Sequence, residues 1–267
     1  MGHSAPPSGS RLRLLDCPLD AVDMDEAVAR CEEAIASRRY MQQVSVNAAK
    51  FVAMAEDPKL REMVAESDLI TADGQSIVWA GRLLGVGLPE RVAGIDLMQR
   101  LLAAADLEGY RVYVLGARRE VLETALARLR ERFPNLTIAG ARDGYYADSE
   151  VGEVCEQIRE ARPDILFIAM SSPRKEHFLG EHGESLGVPF AMGVGGSIDV
   201  LAGLARRAPR PIQRIGMEWA YRLAQEPRRL ASRYFRTNGR FALMVLRGML
   251  TRRASEDDAG APSGRSA

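Results

Sequence analysis

Two apolar runs stand out in the middle of the chain, RVYVLG at 111–116 and DILFIAM at 164–170. Neither alternates polar with apolar, so each predicts a strand buried on both faces, as in a parallel sheet. LTIAG (136–140), Phe190 to Gly193, Tyr40 to Val46 and the short Asp68 to Thr71 read as further strands. Residues 11–20 read as a strand and a turn. Between the strands the apolar spacing turns helical: Arg119 to Phe133, Val151 to Ala161, Gln75 to Leu84 and Gly94 to Asp106. Asp23-Met24-Asp25-Glu26 opens a helix running to about Ser37, with acids at its positive end. Residues 48–66 read as helix with a break at Asp57-Pro58, where Pro suits a new first turn. Strands alternating with helices predict an α/β fold with a parallel sheet. In such sheets ligands bind beyond the carboxyl ends of the strands. Four segments fall there: Ser45-Val46-Asn47, Thr71-Ala72-Asp73-Gly74, SSPRKE (171–176) and GVGGSID (193–199).

Composition changes this picture little. With 267 residues, 46% hydrophobic and 27% charged, the chain suits one domain or one domain with an appendage. Cys17, Cys31 and Cys155 are too far apart for a zinc motif or a disulfide framework, which points to a reducing compartment. Residues 1–10 are expected to be a disordered N-terminus rather than a signal peptide, and 254–267 a disordered tail. No stretch is long and apolar enough to span a bilayer.

Charge changes it more. The net charge of +0 conceals thirteen arginines between Arg206 and Arg253, opposed only by Glu218 and Glu226. Such a block implies a local anionic partner. Aromatic residues interleave with it, and FALMVLRGML (241–250) is apolar but broken by Arg247. Three readings fit: an interfacial helix on anionic lipid, a helix packed on the domain, and a nucleic-acid surface.

The glycines of GVGGSID let backbone N–H groups approach a phosphate, though a tight turn explains them equally well. LGARRE (115–120) reads as an ordinary strand-to-helix turn, SSPRKE as a solvated loop, and His177 and His182 as surface residues. Asp73-Gly74 is a turn by the plain reading, and a carboxylate at a ligand edge by the other. No metal-ligating pair follows a strand, and no metal is expected.

The ordered series of motifs decides between them. SVNAAKF (45–51), ADGQSIVWAGRLLG (72–85), PERVAGIDL (89–97), VYVLG (112–116), DGYY (143–146), SSPRKE, GVGGSIDVLAG (193–203), RRAP (206–209) and GMEWAYRLAQEPRR (216–229) resemble, from about residue 13 to 235, the WecG/TagA/CpsF glycosyltransferase family. The resemblance implies a Rossmann-like core over 11–205, flanked by helices, with a basic, helical, membrane-contacting appendage over 206–253. It implies an inverting, metal-independent enzyme without cofactor. Such an enzyme moves a sugar from a UDP-sugar donor to a polyprenyl-diphosphate-linked saccharide, at the cytoplasmic face of an anionic membrane surface. The products feed cell-surface polysaccharide, and no nucleic-acid partner is implied. A homo-oligomer is left open.

By resemblance Asp73 is the general base. Ser45 and Asn47 match a Thr-x-Asn pattern, Arg91 the sugar-site arginine, and Gly193, Gly195, Gly196 and Asp199 the nucleotide loop. Arg207, Arg214 and Arg222 match arginines assigned to the acceptor diphosphate. Lys175 and Glu176 fall in a Pro-Lys-Gln-Glu motif that reads Pro-Arg-Lys-Glu here. A cation replaces an amide, which points away from an N-acetylmannosamine donor and toward a hexose or uronic acid. Two rival readings remain: a nucleotide-sugar sensor that lacks a base, and a nucleic-acid-binding protein.

Overall fold

The computed structural model describes residues 9–225 and 227–260; the rest of the expected disordered ends lies outside the described residues. The chain opens with a hairpin, β1 (Arg11–Leu14) and β2 (Cys17–Asp20), where a single strand and a turn were expected. There follow α1 (Met24–Ala36), β3 (Met41–Val46), α2 (Ala48–Glu56), α3 (Pro58–Ala65), β4 (Leu69–Ala72), α4 (Gln75–Leu83) and α5 (Gly94–Glu108). Next come β5 (Arg111–Gly116), α6 (Arg119–Arg132), β6 (Thr137–Arg142), α7 (Val151–Ala161), β7 (Ile165–Ala169), α8 (Arg174–His182) and β8 (Phe190–Gly193). The helices α9 (Ser197–Leu201), α10 (Arg210–Arg214), α11 (Glu218–Gln225) and α12 (Pro227–Gly260) complete it.

Six strands form one sheet in the order β4-β3-β8-β7-β5-β6, every pair parallel. This is the α/β, Rossmann-like arrangement expected. The apolar runs of β5 and β7 are adjacent interior strands of this sheet, covered by helices on both faces. One face is covered by α1, α5 and α6, whose Cys31, Leu101, Leu102 and Ala125 are fully buried against Val112 and Ile165. On the other face α7 and α8 bury Val154, Ile158 and Phe178 against Leu166 and Ile168. Burying a side chain of this size contributes about 1.5–3 kcal/mol, so the core is held by many such terms.

The hairpin covers the free edge of β4. Asp20, 4% exposed, takes two hydrogen bonds from Arg11 and one from the Ile70 N–H at 2.7 Å. That protects an edge that would otherwise be open to pairing. Two chain reversals of strand order, between β3 and β8 and between β5 and β7, open crevices at the carboxyl edge.

Two expectations need correction. SSPRKE is not a loop throughout: after Pro173, Arg174, Lys175 and Glu176 form the first turn of α8, and Glu176 is 2% exposed. FALMVLRGML, read first as an interfacial helix, packs one side on the domain. Phe241 and Val245 are buried against the domain, with the Phe241 ring 5.3 Å from that of Phe51 in α2. Arg240 adds an ion pair to Glu56 at the end of α2. The helix also runs on past Arg253 to Gly260, because nothing in ASEDDA breaks it before that glycine.

Candidate active site

Asp73 follows β4 directly. Its N–H continues the ladder by donating to Val46 O at 2.8 Å, which fixes it beside the end of β3. Gly74 then turns the chain at φ 142°, a conformation that favours glycine, and α4 begins. The carboxylate thus stands at the carboxyl edge of the sheet, between β4 and α4. Asp73 is half-buried, and burial raises its carboxyl above the usual carboxylate range. The charge of Arg91 opposes that rise, Glu218 adds to it, and Arg222 and the Gly94 N–H again oppose it. A carboxylate with a raised pKa accepts a proton more readily near neutral pH, which suits a general base.

The groups around Asp73 form one charge network. Val92 N–H bonds Ala72 O at 3.0 Å, so the loop before α5 is pinned to the end of β4 and carries Arg91 to the site. Arg91 donates to Glu218 at 3.1 Å and lies 3.7 Å from Asp96. Arg207 grips Asp96 with both terminal nitrogens, one at 2.6 Å, and its Nε lies 3.7 Å from Glu218. The forked guanidinium geometry permits this two-point grip. Arg222, in the last turn of α11, is close enough to Asp73 for its charge to act there. The side chain of Arg214 lies outside the described residues.

A second cluster sits on the glycine loop. Glu176 accepts from Lys50 at 2.7 Å and lies 3.7 Å from Lys175. Burial alone would raise the Glu176 carboxyl, but Lys50 and then Lys175 outweigh it and hold it below the usual range. The stem of Lys175 crosses Gly193 so closely that a Cβ there would stand 2.8 Å from its Cδ and Cε. Gly195, at φ +49°, and Gly196 continue the loop into α9, where Asp199 stands in the first turn. The charge of Asp199 is felt by Arg118, which follows β5.

Ser45 lies near the carboxyl end of β3, and Asn47 follows that strand. The Ser45 hydroxyl accepts from Gln43 at 3.2 Å, and Gln43 also donates to Thr71 at 2.9 Å, a buried polar tie between β3 and β4. Asn47 caps α2 through Lys50 N–H at 3.1 Å, so it has a structural duty whatever else it does. Arg174 turns away from the crevice: it donates to Gly144 O and Tyr146 O and lies 4.6 Å over the Tyr146 ring. Among the described residues no group of three His, Cys, Asp or Glu is placed to hold a metal ion.

Four residues of the site were missed as site residues: Lys50, Asp96, Glu218 and Gln43. Glu218 was counted only as a stray acid in a basic block. Lys50, Asp96 and Glu218 all lie inside motifs singled out above, and that was the signal available.

Comparison with known proteins matches residues 12–255 to the family model described as "Glycosyl transferase WecG/TagA/CpsF family". A protein of Bacillus spizizenii strain W23 is 36% identical over 174 residues, covering 65% of this chain and 67% of its own. One of Bacillus subtilis strain 168 is 33% identical over 183 residues, covering 68% of this chain and 71% of its own. Both are named N-acetylglucosaminyldiphosphoundecaprenol N-acetyl-beta-D-mannosaminyltransferase. The chain belongs to the WecG/TagA/CpsF family of glycosyl transferases.

Proposed function

We propose that the protein transfers a sugar from a UDP-sugar to a saccharide linked through diphosphate to a polyprenyl lipid, with inversion and without a metal. The observation that carries this reading is the placement of Asp73. Its carboxyl, with a raised pKa, lies within charge range of Arg91 and Arg222 and also of Lys175, whose stem lies along the glycine loop. The relatives' names specify an acceptor of this chemical class.

In the step itself the acceptor hydroxyl oxygen attacks the anomeric carbon and forms the new C–O bond. The bond from that carbon to the diphosphate oxygen breaks, and its electron pair leaves with UDP. Asp73 takes the hydroxyl proton. Attack opposite the leaving group turns an α-linked donor into a β-linked product. Arg91, Arg207 and Arg222 offset charge on the diphosphates, the contribution of preorganised donors in a site of this kind.

The membrane surface belongs to the same reading. No helix of the described residues is long and apolar enough to cross a membrane. Trp79, Ile215, Trp219, Phe235, Leu246 and Leu250 are nevertheless exposed on α4, just after α10, and on α11 and α12, among exposed arginines. Apolar side chains at headgroup depth with cations around them would hold the enzyme, as a peripheral protein of the cytoplasmic face, at the level of a lipid-diphosphate. The test is a panel of UDP-sugars with a short-chain polyprenyl-diphosphate saccharide acceptor, scored for product and anomeric configuration. A β-linked product from at least one UDP-sugar is expected; an α-linked product would overturn the inverting assignment.

A further inference from the structure

We propose that Lys175 is an anion clamp of the donor site, its ammonium binding an anionic oxygen of the donor, on the diphosphate or on a sugar carboxylate. The inference rests on the nucleotide-sugar reading above. Three observations converge on it.

The first is charge. Lys50 and Lys175 are 9% and 13% exposed and share one carboxylate, Glu176, at 2%. Two buried ammonium groups against one carboxylate leave a surplus positive charge. Of the neighbouring acids, Asp96 and Glu218 are paired with Arg91 and Arg207, and Asp73, whose charge does reach Lys175, is also acted on by Arg91 and Arg222. An unmatched buried cation is costly unless something pairs with it.

The second is allocation of the carboxylate. Lys50 holds Glu176 at 2.7 Å, whereas Lys175 stands at 3.7 Å, beyond good hydrogen-bond length. Lys50 is therefore the structural partner, and the donor hydrogens of Lys175 have capacity left. Burial, then the nearby charge of Lys50, lowers the Lys175 ammonium below its ordinary value, while Glu176 and Asp73 pull it back in part. An incoming anion would relieve both strains.

The third is position. The lysine stem lies flat along Gly193, and its Nζ is 3.5 Å from where a Cβ of Gly195 would be. The ammonium thus sits against the glycine loop that follows β8, within range of the Asp73 charge. A cation there meets the bond that breaks, where negative charge gathers on the departing diphosphate.

The test measures binding of uridine, UMP, UDP, a UDP-N-acetylhexosamine and a UDP-hexuronate to the full chain by calorimetry, for wild type and Lys175→Met. Loss of one charge-assisted hydrogen bond corresponds to a weakening of about 10- to 100-fold. That loss for UDP and both UDP-sugars, with uridine unchanged, places the clamp on the diphosphate. The same loss confined to UDP-hexuronate places it on the sugar carboxylate. Wild-type binding of UDP and UDP-hexuronate that Lys175→Met leaves within twofold would overturn the clamp alone. A wild-type protein that binds none of the ligands would overturn the nucleotide-sugar reading and the clamp with it. Thermal melting checks that the variant is folded; if it is not, Lys175→Gln, which keeps a polar tip without the charge, is read by the same criteria.

Discussion

Replacing Glu218 with Gln removes one negative charge from the network and leaves its shape nearly intact. Glu218 accepts from Arg91 at 3.1 Å, and both side chains are largely buried, at 19% and 17% exposure. A hydrogen bond to a charged group is worth roughly 1.5–3 kcal/mol and a neutral one roughly 0.5–1.5. The amide oxygen still accepts from Arg91, so the exchange should cost about 1–2 kcal/mol. Part of that returns, because Glu218 repels Asp73 and the substitution ends the repulsion. A net loss near the lower end, about 1 kcal/mol, is expected in urea unfolding. The kinetic consequence has a fixed sign. Glu218 helps to raise the Asp73 carboxyl, so its removal lets Asp73 stay ionised to lower pH. The acid limb of the kcat/KM profile should therefore move to lower pH in Glu218→Gln, since that limb reports the free enzyme's base. An unmoved acid limb, or one moved to higher pH, would refute the electrical link between Glu218 and Asp73.

Two further outcomes follow from the other cluster and from the surface. Lys50→Met should cost about 3 kcal/mol in urea unfolding, the low end for breaking a buried pair, because Lys175 stays near Glu176 as a substitute; a loss below about 1 kcal/mol would show that Lys50 is not the main partner. Charge reversal of the exposed Arg228, Arg236 and Arg247 should weaken binding to anionic vesicles by more than tenfold at low salt, at about 1 kcal/mol for each arginine near the surface. Equal loss on neutral vesicles would contradict an electrostatic contact.

The strands were readable where burial on both faces removes polar positions. β5 and β7 are interior strands covered on both faces, and their sequences show it. The hairpin was less readable, since CPLD carries a proline and each of its strands has only four residues. α8 was hidden by charge. Arg174-Lys175-Glu176 reads as solvated, yet Glu176 is buried by Lys50, 126 positions away, and local pattern holds no record of that pairing. The same holds for Glu218, whose partner Arg91 is 127 positions distant. Asp73 was singled out as a candidate base by its place after a strand and by the ordered motifs around it. Its half-buried place within charge range of Arg91, Glu218 and Arg222 needed the fold. The C-terminal helix shows the opposite difficulty. One amphipathic pattern fits a membrane and a protein partner alike, and only packing reveals that Phe241 and Val245 face the domain while Leu246 and Leu250 do not.

The central claim is that Asp73 removes the acceptor proton, and its most direct test compares wild type with Asp73→Asn in a single-turnover assay. Transfer from a UDP-sugar to a short-chain polyprenyl-diphosphate saccharide is followed, and UDP affinity is measured in parallel. Loss of a general base costs on the order of 100-fold or more. The account predicts a fall of that size with UDP affinity within a few-fold of wild type. Turnover by Asp73→Asn within a few-fold of wild type, in a variant that still binds UDP, would contradict it.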